Sequence, residues 1–197
     1  MKSLIKWIIL ALMIFGLTFG GAYYYQQQAN LKQGGAARST AATTLKSLQE
    51  QPRLPVFSAS FVAVVSGQPA TLVPGVVRYE IDVAKIAQRD VKWDDKRKTL
   101  AIALPPLVLS APEVDAGAIR AIDSGAAAAI PDGAEPLPDD AVRKSGEDEI
   151  AKLARGESAM ALAREAARGV IERSFAMPLR AAGIKAVVKA TFADEQG

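Results

Sequence analysis

Between Trp7 and Tyr25 the chain carries no charged side chain, and only Met-Lys-Ser-Leu-Ile-Lys precedes this apolar run. Nineteen residues at about 1.5 Å each form a helix of roughly 28 Å, close to the hydrocarbon thickness of a bilayer. Such a segment dictates a topology: one membrane helix first, then a domain on one side of the membrane. Lys2, Lys6 and the α-amino group flank its start, and the next positive charge is Lys32. The positive-inside rule therefore places the N-terminus in the cytoplasm and everything from about residue 27 outside it, a single-pass protein of the cytoplasmic membrane with an extracytoplasmic domain. Trp7 at one end and Tyr23, Tyr24 and Tyr25 at the other fall where amphipathic rings favour the membrane interface. The small residues Gly20-Gly21-Ala22 also fit a cleaved signal peptide, although the apolar run exceeds the usual length of such a segment.

The formal net charge of +3 does not point to nucleic acid. Setting Lys2 and Lys6 aside leaves 22 basic side chains against 21 acidic ones, a nearly neutral domain without a footprint for phosphate backbones. Cysteine is absent, so stability rests on a packed core rather than on disulfides. The exported length suits one such core.

Three parts follow from the composition along the chain: a cytoplasmic stub and anchor at 1–26, a polar tether at 27–38, and a domain at 39–197. Gly34-Gly35 argues against the membrane helix continuing through the tether. Ser39 or Thr40 is placed to cap a lightly apolar helix reaching about Gln51, with Leu45 and Leu48 on one side, before Pro52 and Pro55. From Leu54 to Ser66 the residues alternate, Phe57, Ala59, Phe61, Ala63 and Val65 on one face, Ser58, Ser60, Val62 and Val64 on the other. Thr71 to Val83 alternates likewise, with Val73, Val77, Tyr79 and Ile81 opposed to Arg78, Glu80 and Asp82. Pro74-Gly75 predicts a bulge or an edge position in that strand.

Asp94-Asp95-Lys96-Arg97 joins two β-prone runs as a hairpin. Beyond Pro105-Pro106, Leu107 to Ser110 resumes strand character, Asp115 to Ile122 suggests a brief helix, and Ser124 to Pro138 reads as a surface excursion. From about Asp139 to Ala182, apolar residues including Ile150, Leu153, Met160, Ala163, Ala167, Ile171 and Phe175 recur at helical spacing. Gly156 allows two helices in place of one, and Pro178 is expected to kink or end the second. Gly183 suits a C-terminal cap before a last strand from Ile184 to Phe192. The expected fold class is α+β, a mostly antiparallel sheet packed on a long C-terminal helix or helix pair and closed by a strand.

Histidine is absent too, which removes Ser-His-Asp and Cys-His machinery and histidine-bearing zinc sites. Lys144-Ser145 is the nearest serine–lysine candidate, but neighbours on a helix do not face each other. Asp94-Asp95, Asp139-Asp140 and Glu147-Asp148-Glu149 lack calcium-loop spacing, and suit a turn, a helix start and a solvated face. No phosphate-binding glycine motif occurs. We therefore expect no catalytic, metal or cofactor residues. The remaining candidates are interaction surfaces: Arg78, Glu80 and Asp82 along one strand face, and Arg164 and Arg168 on the long helix. In the latter, Glu165 and Glu172 offer ion pairs at helical spacing.

Leu-Pro-Val-Phe-Ser-Ala-Ser-Phe-Val-Ala-Val-Val at 54–65, Pro-Gly-Val-Val-Arg-Tyr-Glu-Ile-Asp-Val-Ala-Lys-Ile at 74–86, Leu-Pro-Pro-Leu at 104–107 and Arg-Ser-Phe-Ala-Met-Pro-Leu-Arg-Ala-Ala-Gly-Ile at 173–184 resemble the family called domain of unknown function 4230. The resemblance spans about 40–193. It implies a bacterial protein with one N-terminal membrane helix, and it brings no catalytic residue. Val77-Arg78-Tyr79-Glu80-Ile81, followed by a long helix and Gly183-Ile184 before a strand, is similar to stomatin, prohibitin and flotillin domains, membrane-anchored modules that assemble side by side. The long coiled coil of those proteins is missing from this sequence.

Two functions are compatible with these observations. One is a non-catalytic, membrane-anchored envelope domain that binds a protein partner or itself. The other is a small-molecule or lipid-binding module, with a pocket between sheet and helix lined by Phe57, Phe61, Tyr79, Ile171 and Phe175.

Overall fold

In the computed structural model, residues 34–51, 53–66, 70–122 and 140–195 are described. The expected anchor, with Trp7 and Tyr23 to Tyr25, lies outside them, as does the excursion from Ser124 to Pro138. Among the described residues no helix is long and apolar enough to cross a membrane.

The first described element is a helix, α1, over 34–49. It already includes residues 34–38, which the glycine pair had assigned to the tether. The reason is packing: Ala37, Ala41 and Leu45 are buried at intervals of four, with Leu48 against the same core. Burial of one helical face outweighs the low propensity of two glycines.

Two long strands follow, β1 (Arg53–Val65) and β2 (Ala70–Asp82), paired antiparallel along their length. The bulge is in β1, between Pro55 and Phe57, and the register across Pro74 is unbroken. Val56 is the extra residue, and it inverts the alternation. Leu54 and Val56 point inward before it, Phe57, Ala59, Phe61 and Ala63 after it. Pro74 is tolerated inside β2 because its carbonyl accepts from Asp115 N–H at 3.1 Å, away from β1. Its missing N–H therefore faces the side where pairing is discontinuous, and the β1 ladder loses nothing.

That discontinuous side consists of three short strands, all antiparallel to β2: β5 (Leu107–Leu109), β6 (Glu113–Val114) and β7 (Arg120–Ile122). The brief helix expected from Asp115 to Ile122 is a single 3-10 turn, Ala116–Ala118, before β7. Between β2 and β5 the chain makes the expected hairpin, β3 (Val91–Asp94) and β4 (Thr99–Leu104), which belongs to a second sheet. The last strand, β8 (Val187–Phe192), completes that sheet beside β4 and runs parallel to it. The fold is thus α+β and mostly antiparallel, but with two sheets in place of one.

The expected helical stretch is two helices, α2 (Asp140–Ala154) and α3 (Glu157–Ala181), separated at Gly156. Each turns small or apolar residues inward every fourth position: Gly146, Ile150 and Ala154 in α2, and Ala163, Ala167, Ile171, Phe175 and Leu179 in α3. A Cβ on Gly146 would stand 2.7 Å from Val73 Cβ, so only glycine lets α2 approach β2 this closely. Leu153, by contrast, is 40% exposed, off the inward face. Pro178 does not end α3. The final turn continues to Ala181 and closes where Gly183 N–H bonds Arg180 O and Ile184 N–H bonds Leu179 O, both at 2.9 Å. Gly183 supplies the φ of +73° this motif requires, while Leu179 and Ile184 bury together beneath it.

The apolar residues form two cores. One unites α1, β3, β4, β8 and the C-terminal half of α3; the other lies between the β1–β2 hairpin and α2. β2 and α3 contribute to both, and Val56 and Leu107 sit at their junction. Tyr79 ties the second core to the helix break. It is fully buried, and its hydroxyl donates to the Ala154 carbonyl at 2.8 Å, one of the acceptors left over at the end of α2. Burial pushes the Tyr79 phenol above its ordinary value, so it stays a donor.

Candidate interaction surface

Because side chains alternate across a strand, burying Val73, Val77, Tyr79 and Ile81 under the helices sends Arg78, Glu80 and the β1 residues Ser58, Ser60, Val62 and Val64 to the opposite, outer face. All three expected candidates of β2 have ionic partners. The Arg78 guanidinium grips Glu113 through both nitrogens, Glu80 lies 3.9 Å from Arg53, and Asp82 lies 3.5 Å from Lys85. Exposed pairs of this kind add little stability each, about 0–1 kcal/mol. They occupy the charges that a ligand would need.

Arg164 and Arg168 are brought together on α3, against β8 of the other sheet. Their guanidinium carbons stand 5.0 and 5.7 Å from the centre of the buried Phe192 ring. Arg164 bonds Asp194 at 2.5 Å and Glu195 at 3.0 Å; Arg168 bonds Glu195 at 2.8 Å and Glu165 at 2.7 Å. The hydrogen bonds from Arg164 hold the Asp194 carboxyl below its usual range, and those from Arg168 and then Arg164 do the same to Glu195. The same bonds raise both guanidinium groups. This is a clamp between α3 and the end of β8, with its charges matched internally. Glu165 pairs with Arg168 as its spacing suggested, whereas Glu172 accepts from the Ala190 backbone N–H at 3.0 Å. The five candidates thus form two separate groups, one on β2 of the five-stranded sheet and one against β8 of the three-stranded sheet.

The residues expected to line one pocket are divided between the two cores. Ile171 and Phe175 are buried in one core and Tyr79 in the other, where Phe57 stacks on it at 5.5 Å between ring centres. An open groove of about 720 Å³ lies between α1 and α3, including Thr43, Thr44, Leu48, Ser174 and Met177. Thr43, Thr44 and Ser174 spend their hydroxyl protons on carbonyls of their own helices. Ser39, Thr40, Ser47 and Gln51 also line the groove, which therefore presents both apolar and polar groups.

Other candidate chemistry is accounted for locally. Asp94 accepts from the backbone N–H groups of Lys96 and Arg97 in the hairpin turn, and these bonds, Arg97 first, lower its carboxyl below the ordinary value. Asp95 receives Trp93 Nε1 at 2.8 Å and Arg38 at 2.6 Å, fastening α1 to the hairpin. No group of three or more acidic residues is arranged for a metal among the described residues.

What the sequence reading missed is at the far end of β1. Val62 and Val64 are each 56% exposed on the outer face, opposite Pro74 and Leu72. A face that begins with Ser58 and Ser60 ends in valine, and that change is visible in the sequence.

The profile of a family described as "Protein of unknown function (DUF4230)" matches residues 46–189. The chain belongs to this family. Among curated proteins and among solved structures, none matches it. The match covers β1 through the first half of β8, so this family's shared region contains the hairpin core and the outer face just described, while Ala37, Ala41, Leu45, Ala190 and Phe192 of the other core lie outside it.

Proposed function

We propose that this DUF4230 chain is a membrane-tethered, non-catalytic envelope domain that works by protein association, with its own copies as the first partner. The observation that carries the reading is the pair Val62 and Val64, half-exposed on a strand, beside a face on which Arg78, Glu80 and Asp82 each have an ionic partner. Solvated valines on a sheet are tolerated singly, but adjacent ones on an open strand favour coverage by another chain.

The N-terminal apolar run supports the membrane part of the proposal. At most residues 27–33 lie between it and α1. Even as a flexible coil, seven residues span roughly 15 Å r.m.s.. Tethered domains then share a thin layer, and an association too weak to persist in dilute solution becomes effective there. The test is proximity cross-linking of the full-length chain in bacterial membranes. Adducts at the mass of two or more copies are expected; monomer alone would overturn the reading.

A further inference from the structure

Every sheet edge in this molecule can be compared for what attends it. β8 is guarded, since Glu172 reaches from α3 to its Ala190 N–H and the Arg164–Arg168 clamp closes over its end. β3 is short and carries Lys92 and Asp94. The row β5, β6 and β7 is broken into pieces of three, two and three residues. These are the ordinary devices that stop a sheet from recruiting another strand.

β1 has such devices only at its start, in Arg53, Pro55 and the bulge, and none from Phe57 onward. It is the end strand of its sheet, and among the described residues no strand pairs with its other side. From Leu54 to Val65 it contains no charge, and from Phe57 to Val65 no proline and no register shift. That regular stretch extends about 30 Å at roughly 3.3 Å per residue. The position of Pro74 settles which groups are free. Pro74 turns its carbonyl away from β1, so its partner Val62 makes no ladder bond to it and directs its own N–H and C=O to the open edge. Ser58, Ser60 and Val64 share that phase. The same four residues therefore carry the outer side chains and the unpaired backbone groups.

From this we infer that two copies of the chain join through β1, edge to edge and antiparallel about a two-fold axis near Phe61, merging two sheets into one. The inference rests on the association proposed above and names its surface. A second β1 is the occupant that the pattern selects. Antiparallel self-pairing brings identical residues across each other in reverse order, and an uncharged strand meets no like charge in doing so. With the axis at Phe61, Ser60 faces Val62 and Ser58 faces Val64 of the other copy, so each exposed valine gains a neighbour. Arg53 is carried to the outer end of the pair, far from its counterpart. Such a contact is at the small end of specific interfaces, which suits a dimer formed on a membrane and dispersed in dilute solution.

The absence of cysteine makes the test clean. Val62→Cys in the full-length chain, treated in membranes with a short bis-maleimide, is expected to give a dimer, while Lys92→Cys on β3 gives none. Val62→Pro deletes an N–H that β2 does not use, so the fold is retained, as circular dichroism of the purified chain will check, and amine-reactive dimer cross-linking drops at least tenfold. Should that variant fail to fold, Val62→Lys with Val64→Lys, both on the solvated face, sets like charges against the partner strand and must produce the same loss. Wild-type dimer that persists in these variants overturns the edge assignment and leaves association by another surface standing. Monomer alone in the wild type overturns both.

Discussion

The two sheets of this protein answer the same problem in opposite ways. The three-stranded sheet is enclosed: α1 is fastened to its hairpin through Arg38 and Asp95, α3 covers it, and Glu172 occupies an edge N–H. The five-stranded sheet is covered on one face by α2 and left with a long, uncharged end strand and two exposed valines. Where the charges fall marks the difference: in the first sheet Asp95 and Glu172 are spent on a helix and on an edge N–H, whereas in the second Arg78 pairs with Glu113 and Glu80 with Arg53, and β1 carries no charge beyond Arg53.

Truncating the centre of each core measures how far the two are separate bodies. Phe175→Ala in the enclosed core should cost about 3–5 kcal/mol, read as a lowered denaturant midpoint. Because α3 and β2 run through both cores, unfolding should remain a single transition; two transitions would mean that the cores are independent. In the hairpin core, Tyr79→Phe removes the donor to Ala154 O and leaves a buried carbonyl unpaired. We expect a loss of about 1–3 kcal/mol, with hydrogen exchange fastest at the α2–α3 junction. No change in either would mean that the hydroxyl bond does not hold the helix break.

Glu172→Ala tests the guarded edge directly. Its removal strips the partner from Ala190 N–H, with an expected cost of about 1–2 kcal/mol and faster exchange at that amide. Unchanged exchange would place the guard elsewhere. The smallest effect belongs to the clamp. Asp194 and Glu195 have folded values below their unfolded ones, so their stabilisation is present above the ordinary carboxylate range near about 4 and is lost as pH falls through the depressed folded values. Asp194→Asn should therefore lower Tm slightly at neutral pH and coincide with wild type in strong acid. A difference that grows on acidification contradicts the assignment.

Much of the architecture was legible in local pattern. The alternation of β1 and β2, the β3–β4 hairpin, the break at Gly156 and the cap at Gly183 each follow from residue type at a fixed spacing, which backbone geometry reads directly. The bulge was misassigned because Pro74 is conspicuous, whereas the real signal was two adjacent inward residues, Val56 and Phe57, between alternating runs. The start of α1 was hidden for a similar reason: glycines disfavour a helix locally, and nothing nearby announces that Ala37 and Ala41 will be buried. For the surface, spacing identified the charged residues, but their partners Glu113, Asp194 and Glu195 are 27 or more residues away. Local sequence cannot report such pairs.

The sequence by itself determined the order of elements, the apolar N-terminal run, the absence of histidine and cysteine chemistry and the family, because these depend on composition and on neighbours within a few residues. Only the tertiary structure decided that the described residues form two sheets, that β8 returns parallel to β4, that the expected pocket residues are divided between two cores, and that no described strand pairs with the outer edge of β1. Those outcomes depend on which distant segments reach each strand first and satisfy its backbone groups, and a strand's own residues do not say which of its two edges will be left.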